Sequence, residues 1–118
     1  MILADTSIWI DHLRRANSRL GQLLLDGEVL CHPFVMGELA CGSLTKRDAI
    51  LALLATLPIG VIADHSEVLG LLDAKRLYGR GLGWVDLHLL ASTVLSQSRL
   101  WTLDKPLARV AASMGVAA

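Results

Sequence analysis

"ILADTSIWI" (residues 2–10) sets one carboxylate and two hydroxyls between two apolar runs. Ile2, Leu3 and Ala4 read as a short buried strand that Asp5 closes. Thr6 and Ser7 follow, and Trp9, Ile10 and Leu13 have the spacing of one helix face over about Ser7 to Arg15. Asp5 therefore stands at a strand-to-helix junction in a very apolar neighbourhood. An acid in that place needs a reason.

The rest of the chain repeats the alternation. Asn17 can cap a second helix carrying Leu20, Leu23 and Leu24 and ending at Gly27. "EVLCH" (28–32) reads as a second strand, and Pro33 suits the first turn of a helix running to about Cys41. Thr45 with Asp48 resembles a capped start for "TKRDAILALLATL" (45–57). "IGVIA" (59–63) is expected as a third strand, followed by a helix from about Ser66 to Tyr78 and the turn "GRGLG" (79–83). A helix from Val85 to about Ser98, a fourth strand "RLWTL" (99–103) and a last helix after Pro106 complete the pattern. Helices separating buried strands predict an α/β fold, a three-layer α/β/α sandwich around a parallel sheet. No linker, repeat or low-complexity tract interrupts it, so residues 1–118 are expected to be one domain.

Composition narrows the function classes. Hydrophobic residues make up 53% of the 118, yet the longest charge-free stretch, Ala49–Ala63, is broken by Pro58 and Gly60. That falls short of the roughly 20 apolar residues a membrane span needs. "MILADTS" lacks a basic leader segment, so a cytoplasmic protein is expected. Cys31 and Cys41 form no CxxC pair and are expected as reduced, buried thiols. Formal net charge is zero, so a nucleic-acid partner would have to be held by a local basic patch or by metal ions. The apolar excess calls for a surface covered by another chain.

The acids sort by their surroundings. Asp26, Asp48, Glu67 and Asp73 read as solvated, Asp64 as part of a strand-to-helix turn, and Asp11 as exposed beside His12, Arg14 and Arg15. Four differ. Asp5 and Asp104 end strands, Asp86 lies in the first turn of an apolar helix, and Glu38 has Phe34, Val35, Cys41 and Gly42 as helical neighbours. Parallel strands deliver their carboxyl ends, and the helix starts that follow, to one edge of the sheet. Clustered carboxylates repel unless cations compensate. Oxygen-only ligands suit Mg²⁺ or Mn²⁺ far better than zinc. Singly, Asp5 or Asp104 would be read as a helix cap or half of an ion pair, and Asp86 as a complement to its helix dipole. Glu38 resists such a reading, because an unpaired carboxylate on an apolar face is costly. Together the four favour a metal site.

Other candidates carry less. His12, His32, His65 and His88 lack metal-ligand spacing and are expected at the surface or satisfied in the core. Gly79, Gly81 and Gly83 follow a helix, whereas a dinucleotide fingerprint follows a strand, so they read as a turn feeding Asp86. Trp9, Trp84 and Trp101 are expected in the core or an interface rather than as base-stacking platforms. Lys75, Arg76 and Arg80 either complement a helix C-terminus or contact phosphates.

At this point the sequence resembles the PIN-domain proteins, and within them the VapC-type toxins of toxin–antitoxin modules. "ILADTSIWID", "FVMGELACG", "RGLGWVDLHLLAS" and "LWTLDKPLARVA" match that family's motifs in order over essentially the whole chain. The resemblance implies a Mg²⁺-dependent endoribonuclease (Mn²⁺ substituting), usually dimeric and neutralised by a small antitoxin that occludes the site. It makes Asp5, Glu38, Asp86 and Asp104 the metal-binding acids, with Thr6, Ser7 and Thr102 as polar support. Pro106 stands where many relatives carry a further acid, which leaves open whether a second metal site exists. The expected chemistry is attack on a phosphodiester by a metal-activated water, with no histidine or serine nucleophile. The helices carrying Trp9, Ile10, Leu13, Leu20, Leu23 and Leu24, with the 45–57 helix, are expected to form a groove for an antitoxin helix.

Two other classes compete. A receiver-like signalling domain would bind Mg²⁺ through Asp5 and a neighbouring acid, but "ADTS" supplies one acid only, and its phosphoacceptor would have to be Asp64. A haloacid-dehalogenase-type phosphatase needs DxD, and Ser7 occupies the second position. A catalytically silent binding partner is the third reading. RNA cleavage by the purified chain separates them.

Overall fold

The computed structural model describes all residues, 1–118. Its sheet has three parallel strands in the order β2-β1-β3, where β1 is Ile2–Ala4, β2 is Val29–Leu30 and β3 is Arg99–Trp101. In register, Leu3 pairs with Leu30 on one side and Leu100 on the other. Successive strand residues point to opposite faces, and Leu3 and Ala4 are both fully buried, so helices cover both faces of β1. This is the expected parallel α/β arrangement.

Seven helices complete the chain: α1 (Thr6–Arg15), α2 (Ser18–Leu25), α3 (Pro33–Ala40), α4 (Arg47–Ala55), α5 (His65–Ala74), α6 (Trp84–Leu95) and α7 (Lys105–Ser113). Helices α1, α2, α3 and α4 pack in succession around α1 and α3, while α5 packs on α6 and both α6 and α7 lie against β3. Capping residues set most helix starts. Asn17 Oδ1 accepts the Leu20 N–H at 3.0 Å, as expected for α2. The core runs through Leu3, Ile8, Trp9, Leu20, Leu90, Leu100 and Leu107.

The sheet differs from expectation at its edges. "IGVIA" forms no strand beyond one parallel bridge from Ile59 to Cys31. Pro58 has no N–H to give, and the Val61 N–H goes to Ser96 Oγ at 2.8 Å instead of to a ladder. Gly60 sits so close to α6 that a Cβ there would meet Ser92 Oγ at 2.7 Å. The opposite edge gains a bridge from Leu100 to Ala117, through Leu100 N–H to Val116 O at 2.7 Å. The α4 helix starts two residues later than the sequence pattern proposed, after Lys46 in the left-handed region, and no side chain caps it. Cys31 is buried as expected, but Cys41 is exposed.

Candidate metal centre

Both neighbours of β1 follow it in sequence, β2 on one side and β3 on the other, so the strand order switches at β1, and ligands of open α/β sheets bind at such a point beyond the strand ends. Asp5 stands there. Its N–H extends the ladder by bonding Trp101 O at 3.0 Å, and its side chain turns to cap α1 through the N–H groups of Ser7 at 3.0 Å and Ile8 at 3.4 Å. The hydroxyls of Ser7 and Thr102 donate one to each carboxylate oxygen. Both hydroxyls also accept from the loop after β3: Leu103 N–H reaches Ser7 Oγ at 2.9 Å, and Asp104 N–H reaches Thr102 Oγ1 at 3.0 Å. The ends of β1 and β3 are thus latched together through Asp5, which is only 6% exposed.

Asp104 caps α7 by accepting the Leu107 N–H at 3.0 Å. Asp86 reaches back to the Gly83 N–H at 2.9 Å, which holds the end of the glycine turn against the first turn of α6. Gly79 and Gly81 in that turn take φ of 72° and 79°, the left-handed region where glycine is unstrained. Burial pushes the Asp86 carboxyl above its ordinary range, the Gly83 N–H opposes this, and the Asp104 and Asp5 charges push it up further. Asp5, Asp86 and Asp104 are therefore within electrostatic reach of one another. Glu38, on α3, is exposed and accepts the Thr6 hydroxyl at 2.7 Å. An exposed carboxylate with a donor is far less costly than the unpaired apolar placement its sequence neighbours implied.

None of the four acids is ion-paired; the chain's salt bridges involve Glu28, Asp11 and Asp48 instead. The donor set is carboxylate and hydroxyl oxygen with neither imidazole nor thiol, which fits a hard divalent cation. The acids share one edge, but no three of them close into a ready-made cage. Asp86 and Asp104 each commit an oxygen to a helix start, as the cap readings expect.

Lys75 ends α5, Arg76 follows in the left-handed region at φ 52°, and Arg80 lies exposed in the glycine turn. A different basic surface borders the site. Ser7, Ile10, Asp11, Arg14, Arg15 and Leu103 line a cleft of about 500 Å³. Arg15 is spent on Asp11 at 2.6 Å, whereas Arg14 has no acidic partner. The sequence reading set Arg14 aside as part of an exposed helix side. Its position seven residues after Ser7, two helical turns along the same face, was the available signal.

Two of the histidines depart from expectation, while His65 is exposed as expected. His32 is fully buried, and its Nδ1 caps α3 by accepting the Phe34 N–H at 3.0 Å, but Nε2 has no partner. His88 is 7% exposed and its Nδ1 is likewise unpartnered. Trp9 is core, as expected, Trp101 lies under the Arg19 guanidinium at 4.3 Å, and Trp84 is 38% exposed. Asp64, the phosphoacceptor a receiver-like reading would need, caps α5 in a reciprocal capping box with Glu67.

A buried carboxylate at the carboxyl end of a parallel strand, latched by the T-x-D threonine, defines the class. The PIN domain family profile matches residues 2–113, and the chain belongs to that family. Within it the chain is 53% identical over 118 residues to Ribonuclease VapC32 of Mycobacterium tuberculosis, in strains CDC 1551 / Oshkosh and ATCC 25618 / H37Rv. That match covers 99% of this chain and 95% of the relative, which places the chain among the VapC-type PIN proteins. Ribonucleases of this family are generally metal-dependent.

Proposed function

We propose that the chain, as a single nuclease domain, is a Mg²⁺-dependent endoribonuclease and the toxin of a toxin–antitoxin pair, with Mn²⁺ able to substitute. One observation carries the reading: a buried Asp5, oriented by two hydroxyls, beside the unpaired acids Asp86 and Asp104. Asp5, Asp86 and Asp104 would hold the ion, with Glu38 contributing from α3. A divalent ion held by these residues would lower the pKa of an attacking water and offset charge on the scissile phosphate. Ser7 and Thr102 keep both Asp5 oxygens oriented by donating one hydroxyl to each. Thr6 does the same for Glu38. Arg14, in the adjoining cleft, is placed to meet the RNA backbone, and Lys75, Arg76 and Arg80 are further candidates.

Partners follow from the surface. Ile10, Leu13 and Arg14 of α1 with Leu44, Thr45 and Ile50 line a groove of about 300 Å³. It suits an amphipathic segment of a small antitoxin. Trp9 and Leu20, expected in this groove, are core instead. An antitoxin tail carrying Arg or Lys toward Asp5 and Glu38 would replace the cation's charge. Exposed Ile59, Val61, Ile62 and Val94 leave apolar surface that a homodimer would cover. No helix is long and apolar enough to cross a membrane, in keeping with work on cytoplasmic RNA.

The test is Mg²⁺-dependent cleavage of total cellular RNA with mapped ends. Asp86→Asn and Asp5→Asn should each remove most cleavage while circular dichroism stays native. Asp86→Asn should be the milder for folding, because an amide oxygen still accepts the Gly83 N–H. Wild-type rates in either variant would overturn the assignment.

A further inference from the structure

Beside the acids, α3 and the first turn of α6 enclose a second surface that the metal chemistry does not use. Phe34, Gly37, Glu38 and Cys41 face Trp84 and Val85 across an open depression of about 430 Å³. Glu38 belongs both to this depression and to the acid edge, and Trp84 precedes Asp86 by two residues in the same helix turn, so the two surfaces are continuous.

Its chemistry differs sharply from that of the acid edge. Phe34 and Trp84 are each 38% exposed, high for rings of that size. Both are braced by the same buried residue: His88 meets Phe34 at 4.7 Å and Trp84 at 5.0 Å, edge to face. His65 holds Trp84 from another side at 5.1 Å. The rings are thus positioned before anything binds. Between them Gly37 leaves a gap, since a Cβ there would find no atom within 4 Å. Glu38 is the one charged lining residue, so the depression repels a phosphate and accepts an uncharged, flat group.

We infer that this depression is a nucleobase subsite, in which the base flanking the scissile phosphate stacks on Trp84 and Phe34 while the phosphate lies on the acid edge. This rests on the nuclease reading above. Every base has a π-face, and stacking on a fixed aromatic ring needs no hydrogen-bond code. An apolar pocket joined to an acidic edge that would hold a divalent cation matches the two halves of a nucleotide, the base directly and the phosphate through the cation.

The experiment uses the full chain and a single-stranded RNA 20-mer of randomised sequence, with cleavage ends sequenced. One efficiently cut oligonucleotide is then remade with an abasic residue at each position flanking the cut. For wild type, base removal at one flanking position should lower kcat/KM about 5- to 100-fold, the range base–aromatic stacking supplies. In Trp84→Ala that penalty should shrink. Gly37→Leu fills the gap and favours the helix it sits in, so it should lose cleavage on the intact oligonucleotide while its melting temperature stays that of wild type. Independently of catalysis, 2-aminopurine at that position should be quenched on binding with Ca²⁺ supplied in place of Mg²⁺, and not in Trp84→Ala. A wild type indifferent to base removal at every flanking position, or an equal loss by Trp84→Ala on intact and abasic RNA, overturns the subsite alone. No cleavage by wild type overturns the nuclease reading and this inference with it.

Discussion

Thr102 bonds Asp5 across 97 positions of sequence, donating its hydroxyl to Oδ2 while accepting the Asp104 N–H at 3.0 Å. One side chain thus joins the exits of β1 and β3 and orients two of the four acids at once. This is the physical content of the threonine in "TLD" (residues 102–104).

Thr102→Val keeps the shape and removes both bonds. Expected outcomes are a loss of about 1–2 kcal/mol in stability and a larger fractional loss in cleavage, since Asp5 would no longer be held. Thr102→Ser should restore cleavage by returning the hydroxyl, even where thermal stability is not fully regained. Denaturant melts run beside cleavage assays check this. A stability loss with unchanged kcat would reduce Thr102 to a structural role.

Metal linkage gives a second measurement. A cation that binds only the folded chain stabilises it by about 2.7 kcal/mol at a hundred times its Kd. Melting temperature should therefore rise with millimolar Mg²⁺ or Mn²⁺. The rise should be diminished in Glu38→Gln and more strongly in Asp86→Asn, whose carboxyl the Asp104 and Asp5 charges push upward. A thermal-shift series flat in divalent ion would count against a shared site.

His32 makes stability depend on pH. Burial, and secondarily the His88 charge, lower its pKa from 6.5 to about 4. The fold therefore favours the neutral ring: this stability is complete above pH 6.5 and is lost as pH falls toward 4. Between pH 7 and pH 5 the loss is ~2 kcal/mol, or roughly 6–10 °C in Tm for a chain of this size. His32→Asn keeps an acceptor for the Phe34 N–H without a titrating ring. Its Tm should vary much less over that interval. An equally steep profile would exclude His32 as the source.

The groove between α1 and the segment from Leu44 to Ile50 is tested by charge. Leu13 is 37% exposed in it, so Leu13→Glu should fold normally, leave RNA cleavage intact and weaken antitoxin binding at least tenfold. Raising Mg²⁺ should weaken inhibition by the isolated antitoxin tail if a basic side chain replaces the ion's charge. Titrations of antitoxin at two Mg²⁺ concentrations measure both effects. An inhibition constant moved by neither change would locate the antitoxin elsewhere.

By itself the sequence determined the parallel α/β class, the order of the elements and the identity of the family. These depend on local properties: apolar periodicity, caps such as Asn17, and four motifs in a set order. It also marked Asp5, Asp86 and Asp104 as unusual, because each follows a strand or opens a helix. Only the tertiary structure decided what those acids face. The latch of Asp5 by Thr102, and the pairing of Thr6 with Glu38, join residues far apart in sequence, and no local pattern encodes such distances. The same holds where local reading failed. "IGVIA" is strand-like in composition, but Ser96 takes the Val61 N–H that a ladder would need. Trp84 reads from sequence as a core or interface residue, and the packing of α3 against α6 leaves it 38% exposed.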